Sequence, residues 1–200
     1  TKLYEFGNTY HYSQKDNGSP LASYDEHHHL VLTVSGNKTP VNWNTTEQSS
    51  DFYYLKSKVA GIFKMLNFNV KNIKSENTAS EIFAFGIQHK LNNDLLVELG
   101  KVSNKYLSVF DIEQDVWFAD IYWDNLMKHL ASEIRFEPLA KYPEVRRDLA
   151  LLLDKQVKFS QIKELAYKTE KKLLKDVDIF DVFTDKKLGE NKKSYAVSFV

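Results

Sequence analysis

The 200-residue chain contains no cysteine, which excludes a disulfide framework and any thiolate metal site. Arginine is scarce: Arg135, Arg146 and Arg147 are the only three among 27 basic residues. The seven glycines are scattered, with no G-x-G-x-x-G or G-K-[ST] string to cradle a phosphate. No signal peptide is recognisable and no apolar run approaches membrane-spanning length, so a cytoplasmic protein with no membrane partner is expected. An initiator methionine is missing as well, and both ends look cut through ordered elements. A piece of a longer protein is the expectation.

What is present favours packed cores. Hydrophobic residues make up 42% and aromatics 14%, too many for a disordered chain. The length suits one large or two small domains. Net charge is zero, but residues 141–200 hold 14 Lys+Arg against 10 Asp+Glu, net +4, leaving the first 140 at −4. A mildly basic module permits an RNA partner, although lysines on solvated helix faces are the commoner cause of such a balance.

The last third has the clearest pattern. Leu149, Leu151 and Leu153 alternate with Ala150 and Leu152, which predicts a well-buried strand over Arg147–Asp154. Ser160 offers a helix N-cap, and Ile162, Leu165, Ala166, Thr169 and Leu173 recur at helical spacing. Val177–Phe183 reads as a second strand, TDKKLGENK as a polar hairpin loop and Ser194–Val200 as a third strand. The order β–α–β–β is an incomplete ferredoxin-like unit. In the last strand Tyr195, Val197 and Phe199 share an apolar face that belongs under the helix, and Ser194, Ala196 and Ser198 share the other. If Phe180 and Val182 also lie under the helix, Asp181, Phe183 and Ser194 converge on the open face. Parity alone leaves this undecided, because Ile179 travels with Asp181.

Ahead of this module, Lys2–Tyr12 is rich in β-formers and interrupted by Gly7. Gln14–Tyr24 is a polar loop, and His29–Val34 alternates into a strand ending at Gly36. His27 and His29 face one way in such a segment and His28 the other. With no H-x-x-x-H spacing, a polar start of a strand is the reading and no metal site is expected. Ser50 or Asp51 can cap a helix whose stripe is Phe52, Leu55, Val59, Ile62, Phe63 and Leu66. Glu81–Leu91 and Leu95–Gly100 pair as a hairpin around Asn92-Asn93-Asp94. Val116–Tyr122 is an apolar strand and Trp123–Leu130 a short helix. Ile134–Lys141 leads into the last module, with the boundary near Leu139.

Three strings in that module carry a resemblance. P-x-V-R-R-D-L-A at Pro143–Ala150, F-D-V-F at Phe180–Phe183 and G-x-x-K-K-S at Gly189–Ser194 resemble the anticodon-binding ferredoxin-like domain closing the β subunit of bacterial phenylalanyl-tRNA synthetase. Earlier segments are similar to the catalytic-like core of that subunit. Lys2–Tyr12 resembles its L-F-E-x-G-x-x-F strand, Leu30–Gly36 its L-x-x-x-x-S-G segment, Val41-Asn42-Trp43 its loop ending in Trp, and Asp51–Ser57 its D-F-x-D-L-K-G helix start. Tyr54 replaces an acid there and Ser57 a glycine. Leu99–Val102 resembles the G-x-x-G-x-V-H-P turn, with Ser103-Asn104 in place of His-Pro. Phe85-Gly86-Ile87 stands where H-P-G is common. These departures mark a divergent branch.

The resemblance implies an α+β chain: half of a class II synthetase-like antiparallel sheet domain over 1–139, then an incomplete ferredoxin-like (βαββ) domain over 140–200. It implies a non-catalytic segment within an α2β2 assembly, with the chemistry on the α subunit and ATP and magnesium used by the parent complex. The arginine shortage agrees, because triphosphate binding and the charge of adenylation suit arginine's fixed fork. It implies tRNA(Phe) as partner, through its anticodon stem-loop. Asp181 would accept from the edge of the first anticodon base, a guanine, with Phe183 as the stacking ring and Ser194 as a hydrogen-bonding partner. Phe183 lacks the hydroxyl of the more usual Tyr. Lys192 and Lys193 are the phosphate candidates, while Arg146 or Arg147 pairs with Asp148 or Glu144. The rival reading is a ferredoxin-like interaction or scaffold module without direct RNA reading.

Overall fold

A computed structural model describes residues 1–13, 23–130 and 141–200. The chain divides into two compact units, Thr1–Arg135 and Phe136–Val200. The boundary expected near Leu139 falls outside the described residues, as do most of the Gln14–Tyr24 loop and of the Ile134–Lys141 linker.

The first unit is organised by its longest helix, α1 (Phe52–Met65). Asp51 caps it, its carboxylate accepting the Tyr54 N–H at 2.7 Å. Leu55, Val59 and Phe63, one turn apart, are buried, with Phe52, Ile62 and Leu66 packed beside them. Each such side chain contributes about 1.5–3 kcal/mol when fully removed from water. The helix stops where Asn67 takes a left-handed φ of 52° and the Phe68 N–H closes on Phe63 O at 2.8 Å. That turn sets the Phe68 ring 5.3 Å from Phe63.

This helix covers a six-stranded sheet formed by β1 (Lys2–Tyr12), β2 (Tyr24–Ser35), β3 (Lys74–Asn77), β4 (Phe83–Leu91), β5 (Asp94–Val102) and β6 (Val116–Tyr122). Two short α-helices, α2 (Asn104–Leu107) and α3 (Trp123–Lys128), also belong to the unit. The strand order is β1-β2-β6-β5-β4-β3, every neighbouring pair antiparallel. The pairs Val97↔Ile121 and Leu99↔Ala119 supply the buried face under α1. A bulge at Leu96 leaves Leu96 and Val97 both buried, which strict alternation forbids.

Several expectations change. β1 runs unbroken through Gly7, which pairs with His29. The start of β2 lies at Tyr24, because the ladder to β1 satisfies the backbone of the polar Asp25–His28 stretch. The hairpin turn is two residues, Asn92 and Asn93, at φ 50° and 76°, the left-handed pair a tight hairpin needs. Strand β3, KSEN, was not foreseen; it is an exposed polar edge with no apolar pattern to announce it.

The second unit contains β7 (Arg147–Asp154), α4 (Phe159–Thr169), β8 (Val177–Phe183) and β9 (Lys192–Phe199). The sheet order is β7-β9-β8, antiparallel throughout. Val177, Tyr195 and Val197 form its buried centre, with Leu151, Leu153, Phe159, Ile162, Ala166 and Ile179 packed around them.

Three local expectations are corrected. Helix α4 is capped at Lys158, not Ser160: the Gln161 side chain accepts the Lys158 N–H at 2.8 Å, and Phe159 joins the core against Tyr195. It ends at Thr169, after which the Glu170 carboxylate takes the N–H groups of Lys172 and Leu173, so Leu173 lies 80% exposed outside the helix. Strand β7 is not well buried. It is an edge of the sheet, with Leu149 and Leu152 exposed and only Leu151 and Leu153 half-buried.

Two glycines test the packing of the first unit. A Cβ on Gly100 would lie 2.3 Å from Phe85 O and 2.7 Å from Gly86 Cα, whereas one on Gly61 meets nothing within 4 Å. Gly100→Ala is expected to destabilise by about 2–3 kcal/mol. Gly61→Ala, inside α1, is expected to stabilise by about 0.5–1 kcal/mol. Urea unfolding of both variants checks the pair; equal midpoints would refute it.

Candidate nucleic-acid interface

Strand β9 sorts its side chains by alternation. Tyr195 and Val197 are buried under α4, which sends Ser194, Ala196 and Ser198 to the opposite face. Directly paired residues of an antiparallel ladder share a face. Ile179↔Val197 and Val182↔Tyr195 therefore belong to the helix side, while Asp181↔Ala196 and Phe183↔Ser194 belong to the open side.

Both assignments hold because β8 carries a bulge between Ile179 and Asp181. The supposition that Phe180 lies under the helix is corrected. Ile179 fills that place, and Phe180, the extra residue, leaves the ladder for the surface. Val182 keeps its side but remains exposed, outside the packed cluster. The parity left open by sequence is thus resolved by an irregularity that parity does not contain.

Asp181, Phe183 and Ser194 come together on one face. Phe183 is 51% exposed and stands directly opposite Ser194; Asp181 lies two residues along β8, roughly 7 Å at the usual strand rise. Among the described residues, neither the Asp181 carboxylate nor the Ser194 hydroxyl has a hydrogen-bonding partner or ion pair. Beside Asp181 the ladder continues through Ala196 to Ala150, and beside Phe183 through Ser194 to Leu152. The two alanines keep the face low next to the carboxylate.

The two lysines part company. Lys192 shares the parity of Ser194, and its Nζ is 2.8 Å from Asp154 Oδ1. Lys193 pairs with Leu153 on the helix side, donates to Lys155 O at 2.8 Å and lies over the Tyr195 ring at 4.5 Å. Of the two, Lys192 borders the open face. Arg146 pairs with Asp148 at 2.9 Å, as expected, and its guanidinium also lies 5.3 Å from the Phe180 ring centroid. That stack was missed in the sequence, because nothing in F-D-V-F signals a bulge.

A match to known families accompanies this geometry. Residues 140–200 match the model described as "Ferredoxin-fold anticodon binding domain". Residues 1–123 match "Phenylalanyl tRNA synthetase beta chain CLM domain". The chain belongs to the phenylalanyl-tRNA synthetase beta-chain family. The phenylalanine–tRNA ligase beta subunit of Bacteroides thetaiotaomicron is 42% identical over 100% of this chain and 25% of its own length. That of Porphyromonas gingivalis is 36% identical over 98% of this chain and 24% of its own. The chain thus spans about a quarter of the length of these curated relatives. A solved pyrrolysyl-tRNA synthetase from Desulfitobacterium hafniense aligns with 66% of this chain and 46% of its own at 11% identity, with a TM-score of 0.43, too low to carry an argument. As a member of this family the chain is α+β, with antiparallel sheets and a ferredoxin-fold anticodon-binding domain. No described helix is long and apolar enough to cross a membrane.

The synthetase family raises the question of whether the first unit could hold ATP and magnesium. On the sheet face away from α1, Asp120 and Glu98 are direct cross-strand neighbours. Asp120 accepts from or pairs with His29 Nδ1 at 2.8 Å, and His29 Nε2 meets Thr9 Oγ1 at 3.0 Å. Glu98 accepts from Thr78 and from Tyr122 at 3.3 Å. Burial raises the Asp120 carboxyl above its ordinary value, opposed by His29, and burial with the two nearby carboxylates raises the Tyr122 phenol. His28, on the other parity, meets Asp124 at 3.0 Å. His29 is buried, so only its two neighbours fit the expected exposed strand start. Residues 1–130 contain no arginine, and no cluster of three potential metal ligands occurs among the described residues. These donors do not fit a triphosphate with its divalent ion, and no step is assigned to them.

His89 faces the α1 side through its pairing with Val97. Burial, reinforced by Lys56, lowers its imidazole to about 4. Its folded value lies below the unfolded 6.5, so the unfolded state takes the proton first and stability falls as pH drops from about 6.5 toward 4. The expected loss is about 2–3 kcal/mol. Urea unfolding at stepped pH should show a flatter slope for His89→Gln over that interval; an unchanged slope would remove His89 as the cause.

Proposed function

We propose that the second unit reads the first anticodon base of tRNA(Phe), and that the first unit is a non-catalytic scaffold. The observation that carries the reading is the shared open face of Asp181, Phe183 and Ser194 within the segment matching an anticodon-binding domain. An unpaired guanine presents adjacent N–H donors, which a carboxylate accepts together. Phe183 offers the ring on which it stacks, and the Ser194 hydroxyl lies across the strand from that ring. Lys192, at the border of the face, is the phosphate contact; Lys193 is engaged on the other side.

The first unit is the C-terminal part of a class II synthetase-like sheet domain, extending to about residue 139, with the anticodon-binding domain from 140. Its role is to pack against an α subunit carrying the active site, within an α2β2 assembly in the cytoplasm. The parent complex uses ATP and magnesium to join phenylalanine to tRNA(Phe). Support comes from family membership and from a first unit whose sheet-face carboxylates Asp120 and Glu98 are already engaged by neighbouring side chains.

Two outcomes are expected. Clean chain alone shows no phenylalanine-dependent ATP–pyrophosphate exchange; measurable exchange overturns the non-catalytic assignment. Binding of the phenylalanine anticodon stem-loop, at fixed salt, is weakened about tenfold when its first anticodon guanine is replaced. Asp181→Ala abolishes that difference. Equal, salt-sensitive binding of both loops would instead favour an interaction module without base reading.

A further inference from the structure

The bulge at Phe180 creates a second stacking surface on the open face. A regular strand would have to send either Phe180 or Asp181 to the helix side. With the bulge, Phe180 and Asp181 both escape the core, and the Phe180 ring is covered by the Arg146 guanidinium at 5.3 Å. Asp148 holds the guanidinium by its edge, Arg146 Nε donating to Oδ1 at 2.9 Å. Asp148 lies opposite Ser198, on the Asp181 side of the sheet. The Arg146 side chain nevertheless remains 57% exposed. A guanidinium over an aromatic ring, tied to a carboxylate and open to solvent, offers its flat face to another π-system.

We propose that this plane takes the nucleotide next to the first anticodon base, so that the open face holds two consecutive nucleotides. The inference rests on the base-reading proposal for Asp181, Phe183 and Ser194. Phe180 lies three residues from Phe183 along β8, roughly 10 Å at about 3.4 Å per residue. One base cannot cover both stations, but adjacent splayed nucleotides can. The stack is indifferent to base identity, because every base has a π-face. The ion pair with Asp148 leaves little net attraction for phosphate here, so the contribution is planar stacking more than charge. Between the two stations on this face lie Asp181 and the alanines of its rung.

The test is a double-mutant cycle with the chain as it stands. Its probes are the intact anticodon stem-loop, a loop abasic at the second anticodon position, and a loop with the first guanine replaced. Arg146→Lys keeps the charge and removes the plane; Phe180→Leu keeps an apolar side chain and removes the ring. Each substitution is expected to weaken the intact loop about fivefold to tenfold and to leave the abasic loop unchanged, while the first-base preference persists. Equal weakening of intact and abasic loops overturns the second station. Loss of first-base preference in the unmodified chain defeats the Asp181 reading alone, since coupling to the second position is measured separately. A chain that binds none of the loops overturns both. Thermal melts of the two variants, at exposed positions, confirm that folding is intact.

Discussion

A residue in a strand has two directions available, and an antiparallel ladder forces its partner into the same one. In the second unit β9 transmits that constraint, because it pairs on both edges. Its Tyr195 and Val197 are drawn under α4 by the removal of apolar surface from water. Their neighbours Ser194 and Ala196 are then sent outward, and so are the residues opposite them, Asp181 and Phe183 on β8 and Ala150 and Leu152 on β7. The exposed arrangement is a consequence of the buried one.

Bulges relax this constraint locally, and the two units use them in opposite senses. At Leu96 an extra residue lets consecutive side chains enter the core. At Phe180 an extra residue lets Ile179 and Val182 keep one side while Phe180, Asp181 and Phe183 take the other. A regular strand with the same composition would divide these side chains differently. The wider open face depends on one unpaired residue in seven of β8.

The first unit distributes its polar groups in another way. Pairs of His29 with Asp120, His28 with Asp124 and His129 with Asp94 join β2 to β6, β2 to α3 and the end of α3 to β5. Side chains that would be chemistry-bearing in a cleft are here cross-ties between elements. Their satisfaction agrees with a scaffold role, whereas Asp181 and Ser194 in the second unit lack such partners among the described residues.

Much of this was legible from local pattern. The α1 stripe, the Asp51 cap, the strand over Val116–Tyr122 and the β–α–β–β order follow from periodicity and capping chemistry, which depend on near neighbours in the chain. So did the family resemblance, carried by short strings in a fixed order. What local pattern could not contain was pairing: that β7 lies at an edge and exposes Leu149 and Leu152, and that Phe180 leaves the ladder to lie beneath Arg146. The sequence by itself determined most of the segments that become strands and helices, the polar edge strand β3 excepted, because each residue's propensity acts on its own backbone. Only the tertiary structure decided which way the site residues face, because that depends on hydrogen-bond register with strands distant in the chain.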